Sequence, residues 1–382
     1  MSELAEPLTA SSRMPMLEID RAALQSNWRT LAARQPGART GAAVKADGYG
    51  LGAGPVALAL HEAGCRDFFV AWASEGAVVR EALSQAGLQA RIFVLQGLEP
   101  ATVRLHLQHD LTPVLSTPDD IAAWREESAK TGARAPAALQ IETGMNRLGL
   151  GETDIREAAA LAASGDLPLC LVMSHLASAD EETGQSAEQL QRFLALSALF
   201  PGVPRSLANT AGVFLGIDYG FDLTRPGIGL YGGRAGPQSA GALQPVARLT
   251  AAILQLRTVP AGESVGYGAS VRLARDTRIA TVGIGYADGL PRAASGAGVA
   301  LRPSIPAANA LLAGRTVPLL GRISMDMTLL DVSALPEHTV RPGDRVEFFG
   351  PGIAIDDVAA AAGTIAYEIL TGMGPRVARR WT

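Results

Sequence analysis

The stretch AAVKADGYGLGAG, residues 42–54, ends a short apolar run on Lys45 and follows it with Tyr49 and a row of glycines. The apolar run reads as a buried strand, and GPVALALHEAGC beyond it, residues 54–65, reads as a helix closed by Gly64. The lysine therefore stands where a strand hands over to its helix. In a barrel of parallel strands that junction is the catalytic face.

The same alternation extends outward. Upstream, LEIDRAALQSNWRTLAARQPG offers Asp20 as a helix cap, spaces Ala23, Leu24, Trp28 and Leu31 along one face, and stops at Pro36 and Gly37. Downstream, DFFVAWA reads as a buried strand, and SEGAVVREALSQAG as a helix capped by Ser74. TPDDIAAWREESAKTG is a helix with Thr117 as its cap. RIFVL, TPVL, AALQIE, LCLVMSH, RSLAN and DLTRPGIGLYG continue the strand series. From Ala42 this makes about eight short buried strands separated by helices, which matches the template of a (β/α)8, TIM-like barrel of roughly 250 residues. The spacing also fits a doubly wound open sheet, and the strand count favours the barrel.

From about Pro245 the texture changes to β-rich segments split by Gly, Pro and Asp, with helical patterns only at IDDVAAAAG and TIAYEILTG. The predicted class is α/β, with a barrel over residues 1–244 and a C-terminal mainly-β domain over 245–382. Residues 1–19 are candidates to pair with the second domain.

Lys and Arg total 33 against 37 Asp and Glu, a formal charge of -4, and the charges are scattered. That distribution lacks the basic stripe a nucleic-acid partner requires. Apolar runs fall short of the ~20 residues a membrane helix needs. The first residues contain Glu3 and Glu6 and no apolar core of a secretory signal. Two cysteines, Cys65 and Cys170, read as core thiols of a reducing compartment, so a soluble cytoplasmic enzyme is expected.

GYGLGA matches the permissive dinucleotide fingerprint, with Asp67 at the distance of a ribose-binding acid. A nicotinamide-dependent oxidoreductase is therefore a rival reading, although it leaves Lys45 and Tyr49 without a role. His61 with Cys65, and His106 with His109, lack further ligands at zinc spacing, so no metal is expected. No G-x-S-x-G elbow or Walker loop occurs.

AVKADGYG resembles the lysine motif of the alanine racemases, fold-type III enzymes dependent on pyridoxal 5'-phosphate. The resemblance continues in order through IETGMNRLG, SHLASAD, LANTAG, RPGIGLYGG, VGYGAS, VGIGYADGLPR, GRISMD and TIAYEILTGMGPRV, across almost the whole chain. It implies a cofactor-binding barrel followed by a β-domain, and a homodimer that interconverts L- and D-alanine. Lys45 would carry the cofactor covalently and act as base on one face of the substrate Cα. Tyr267, reaching in from the second subunit, would be the opposite base. His175 would support that tyrosine and Arg225 would face the pyridine nitrogen.

By the same resemblance Tyr49, Asn209, Thr210, Gly227, Ile228 and Tyr367 would hold the phosphate end. Arg147 and Met325 would receive the substrate carboxylate, and Tyr286 would line the entrance. Asp326 is either a site residue or a turn cap. Free Lys and Tyr titrate near ~10.4 and ~10, so the site has to lower both.

The chain departs from the family pattern at three positions. Gln140 stands where the family commonly carries a carbamylated lysine, Glu142 replaces an aspartate, and Leu51 replaces a histidine. Gln140 cannot be carbamylated, which leads to the expectation of a bound anion such as chloride near Gln140 and Arg147. A broad-specificity racemase, acting for example on serine, and a non-catalytic pyridoxal-phosphate carrier are the remaining alternatives.

Overall fold

The structure is a computed structural model that describes residues 13–130, 135–296 and 307–382. Two compact units emerge, one formed by Ala22–Gln244 and the other by Pro245–Thr382 with the described residues up to Arg21.

The Ala22–Gln244 unit is a parallel barrel. Its strands run in the order Ala42–Ala43, Asp67–Val70, Arg91–Val94, Thr112–Leu115, Ala137–Gln140, Leu169–Met173 and Arg205–Ser206. Leu223–Thr224 closes the ring. It pairs with Arg39–Thr40 on one side, while Asp222 and Arg225 donate backbone bonds to Arg205 and Ala208 on the other. Gly41 joins Arg39–Thr40 to Ala42–Ala43, because a Cβ there would stand 2.8 Å from both the Asp67 carbonyl and the Phe69 ring. Most strand positions are buried on both faces, as a parallel sheet under helices requires. Phe69 and Phe93 stack at 4.8 Å in this core.

Two expectations shorten here. DLTRPGIGLYG is strand only at Leu223–Thr224 and then turns as a 3-10 segment, Ile228–Tyr231, since Pro226 has no N–H to extend a ladder. Both cysteines are free thiols, but Cys170 is only half-buried because it lies at the opening end of its strand.

In the other unit the long strand Ala247–Val259 pairs with Met16–Ile19, Arg345–Phe349 and Thr277–Val282. Met16–Ile19 also lies parallel to Ala378–Trp381, so a strand from the N-terminal region sits between the first and last strands of this unit. The helices Ile355–Ala362 and Ala366–Thr371 fall where the sequence pattern placed them. Among the described residues no helix is long and apolar enough to cross a membrane.

Candidate functional site

Lys45, His175, Asn209 and Arg225 all stand just beyond the carboxyl ends of barrel strands. Lys45 opens the turn Lys45–Tyr49 directly after Ala42–Ala43 and Val44. Ala46, Asp47, Gly48 and Tyr49 have φ of 52°, 53°, 63° and 56°, a left-handed turn in which only one of the four is glycine. Each non-glycine residue there costs about 1–2 kcal/mol, so the turn must be held from outside.

Several bonds hold it. Gly48 and Gly50 donate to the Val44 and Ala46 carbonyls at 2.9 and 2.8 Å. Asp47 Oδ1 accepts from Ala53 N–H at 2.8 Å, and Glu75 Oε1 from Ala46 N–H at 2.7 Å. The Lys45 amine is half-buried. Burial, with the Arg147 charge, pushes its pKa below the usual lysine value, and Glu75 opposes them.

Arg225 follows Leu223–Thr224 and is 5% exposed. It donates to Ser206 Oγ and the Ser174 carbonyl at 2.5 Å, and lies 6.0 Å from the Phe69 ring centre. Its partners are neutral oxygens and His175, with no carboxylate among the described residues. Burial lowers its pKa to about 9, which leaves it charged at neutral pH.

His175 Nδ1 lies 3.4 Å from Arg225 Nη2. A guanidinium only donates, so this contact makes Nδ1 the acceptor and leaves the ring proton on Nε2. Desolvation, reinforced by the charges of Arg225, Arg147 and Lys45, pushes His175 down to about 3. Gln189, fully buried, fixes the segment by donating to the His175 carbonyl at 2.9 Å and accepting from Ala177 N–H at 2.8 Å.

Asn209, Thr210, Gly227 and Ile228 meet beside Tyr49. Asn209 caps the short helix Thr210–Leu215 through Gly212 N–H at 2.9 Å. Thr210 Oγ1 accepts from Gly227 N–H at 2.8 Å, which leaves its own O–H free to donate. The Tyr49 ring stacks on Tyr231 at 4.4 Å, and Tyr231 Oη donates to the Ala43 carbonyl at 2.9 Å. A Cβ on Gly227 would collide with Tyr49 Oη.

Arg147 is exposed on the loop after Ala137–Gln140. Gln140 Nε2 donates to the Leu148 carbonyl at 2.9 Å, so it braces that loop through the backbone. Burial works against the Glu142 carboxylate, but the backbone N–H groups of residues 144–147 overcome it and hold its pKa below the usual value.

The remaining expected residues lie in the other unit. Tyr267, 71% exposed, sits in the turn between Ser264–Val265 and Val271–Arg272. The Arg322 guanidinium lies against the adjoining Gly268. Tyr286 and Met325, 41% and 52% exposed, are neighbours: Tyr286 N–H donates to the Ser324 carbonyl and Ala287 N–H to that of Met325, both at 3.0 Å. Arg376 bridges Asp288 and Asp326 at 3.0 and 2.8 Å, so Asp326 is an ion-pair anchor for the Met325 turn. Tyr367 is half-buried in Ala366–Thr371.

The dinucleotide reading fails on geometry. Its glycines build the left-handed turn, and Asp67, 1% exposed, begins its strand at the opposite end of the barrel from Lys45, paired to Arg91 at 2.6 Å and Arg39 at 3.7 Å. Glu75, Tyr231, Ser206, Gln189 and Arg376 escaped the sequence reading. Only Glu75 left a local signal, three residues beyond Trp72, where a helix N-terminus places a capping acid.

Pyridoxal phosphate fits this arrangement. Lys45, Arg147 and the carboxylate-free Arg225 make the region cationic, and Tyr49, Thr210 and Gly227 enclose a cradle beside it. Among the described residues no cluster of His, Cys, Asp or Glu could hold a metal ion.

Two family models match the chain, the alanine racemase N-terminal domain over residues 19–235 and the C-terminal domain over 246–381. An alanine racemase of Rhizobium meliloti is 48% identical over 382 residues, covering 98% of each chain. The crystal structure of alanine racemase from Bartonella henselae with covalently bound pyridoxal phosphate is 34% identical, with a TM-score of 0.88 over 97% of this chain and 99% of that one. That of Streptomyces coelicolor is 33% identical, with a TM-score of 0.89 over 98% and 99%. With the barrel, the Lys45 turn and the Arg225–His175 pair already in place, these matches show that the chain belongs to the alanine racemase family.

Proposed function

We propose that this chain is a pyridoxal-phosphate-dependent alanine racemase acting as a homodimer, with Lys45 and Tyr267 as its two bases. The observation that carries the reading is the Lys45 amine, held at a strand end with a lowered pKa beside Arg147 and His175. When bound, the cofactor supplies an electron sink that acidifies the Cα–H of an amino acid.

Racemisation needs a proton removed from one face of Cα and returned to the other. Lys45 Nζ, biased toward its neutral form, serves one face. Tyr267 Oη serves the other, and its high exposure suits a side chain presented to a second copy. His175 is neutral across the working pH range, and its Nε2–H is the donor for the deprotonated phenol.

Arg225 stays protonated at neutral pH and offers a hydrogen bond, not a proton, to the ring nitrogen. Thr210 O–H and Tyr49 Oη border the phosphate cradle, with Asn209, Gly227, Ile228 and Tyr367 in supporting positions. Arg147, with the Met325 N–H of a second copy, receives the substrate carboxylate, and Tyr286 narrows the entrance to a small side chain.

An anion such as chloride near Gln140 and Arg147 belongs to this reading. Arg147 is exposed, so the anion would serve as a counter-charge to a solvated guanidinium and would not relieve a desolvation cost. Its support is the positive charge of Arg147, which acts on both Lys45 and His175.

Borohydride reduction of the purified protein followed by peptide mass spectrometry tests the assignment. The adduct is expected on Lys45, with D-alanine formed from L-alanine in a chiral assay. An adduct elsewhere, or no D-alanine, overturns the reading.

A further inference from the structure

We propose that Glu75 is the positioning residue of Lys45: its carboxylate holds the left-handed turn from which the lysine projects. This rests on the assignment of Lys45 as the cofactor-bearing residue. Glu75 lies in the helix Ala73–Gln85, which follows the neighbouring barrel strand. Oε2 accepts from Ala71 N–H at 2.7 Å and Trp72 N–H at 3.2 Å, closing the start of its own helix. Oε1 turns the other way and accepts from Ala46 N–H at 2.7 Å, 29 residues back along the chain.

A capping acid needs only the first pair of bonds. The bond to Ala46 ties the end of one barrel strand to the end of the next, at the first residue of the strained turn. Ala46 has no glycine-like freedom to stay left-handed, so a lost anchor lets it relax to ordinary backbone angles and redirects the lysine beside it.

Glu75 also acts through charge. Of the charges acting on the Lys45 amine, Arg147 lowers its pKa and Glu75 raises it. Glu75 is the acid in that set and keeps the amine from losing its proton too readily.

The test uses holoenzymes diluted into cofactor-free buffer, with release followed by loss of the visible cofactor band. Glu75→Gln keeps the shape but turns an amide N–H toward backbone N–H donors at one end. Its release is expected to be faster by about tenfold or more. The exposed Glu182→Gln control should stay within about twofold. Adding Ala46→Gly, which supplies a residue at ease in the left-handed turn, should recover at least about threefold of the loss. A cap acting only on its own helix would gain nothing from that change.

Release within about twofold of the parent by a Glu75→Gln protein of native circular dichroism overturns the proposal, as does an absent rescue. Should that variant not fold, Glu75→Asp replaces it. This substitution keeps the charge and loses the reach, and the same acceleration is expected and the same near-parent rate would overturn the role. The two readings separate cleanly. A missing adduct on Lys45 in the parent defeats the functional assignment, whereas an intact adduct with unaltered release defeats only the role of Glu75.

Discussion

Gly227→Ala adds one methyl group to the cradle beside Tyr49. The new Cβ falls within 3.0 Å of Tyr49 Oη, 3.2 Å from Cζ and 3.6 Å from Ala43 Cβ. Tyr49 cannot retreat easily, since its ring stacks on Tyr231 at 4.4 Å and Tyr231 is tied to the Ala43 carbonyl. Overpacking a core costs about 1–3 kcal/mol, and with both rings pinned the upper part of that range applies. For a unit of this size each kcal/mol lowers Tm by about 2–4 °C, so a fall of about 5–10 °C is expected.

Thermal unfolding by circular dichroism without added cofactor measures it, beside Gly37→Ala, where nothing lies within 4 Å of the new methyl. The control should stay within about 0.5 kcal/mol of the parent. Tyr49→Phe in the Gly227→Ala background removes the colliding oxygen and should return about half of the loss. A Gly227→Ala protein melting within about 2 °C of the parent, or no recovery in the double variant, would refute the packing argument.

Tyr267→Phe should reduce racemisation by about 10²–10⁴-fold while leaving the cofactor band and the melting temperature unchanged, because the ring is largely exposed. Loss of the cofactor instead would move Tyr267 out of the proton-transfer role. His175 titrates at about 3 in the folded chain against 6.5 when free, so the unfolded chain binds more protons between those values. Its contribution to stability is complete above pH 6.5 and is lost as pH falls toward about 3. His175→Asn should therefore show a shallower fall in Tm between about pH 7.5 and 4.5, and an unchanged slope would contradict the direction of the shift. Arg376→Met releases the exposed Asp326 and leaves the buried Asp288 without its counter-charge, so Tm should fall and the KM for alanine should rise several-fold, more than kcat falls. An unchanged KM would show that the Met325 turn does not depend on this ion bridge.

What a window of a few residues encodes was readable in the sequence. Thr117 does cap its helix, accepting from Asp120 N–H at 3.0 Å, and the two helices near the C-terminus lie where the helical patterns IDDVAAAAG and TIAYEILTG put them. Apolar runs became buried strands, and Lys45 stood at a strand end because a charged side chain cannot continue a strand buried on both faces. The order of motifs then implied the family, which the family models and relatives bear out.

Other features depend on partners remote in the chain. Ser74 read as a cap, but the helix begins at Ala73, so the cap position falls two residues earlier on Trp72, and Glu75 accepts from the Ala71 and Trp72 N–H groups while its other oxygen reaches Ala46. Ala46 carries no local preference for positive φ, and Glu75, 29 residues on, holds it there, while Asp47 is held locally by Ala53 N–H. Arg225 gave no sign that its acceptors would be a carbonyl and a hydroxyl 51 and 19 residues away. Residue pattern determined which segments are buried and which side chains stand at strand ends. Closure of the barrel decided which of those ends meet, because a turn's hand and a guanidinium's partners are set by neighbours in space.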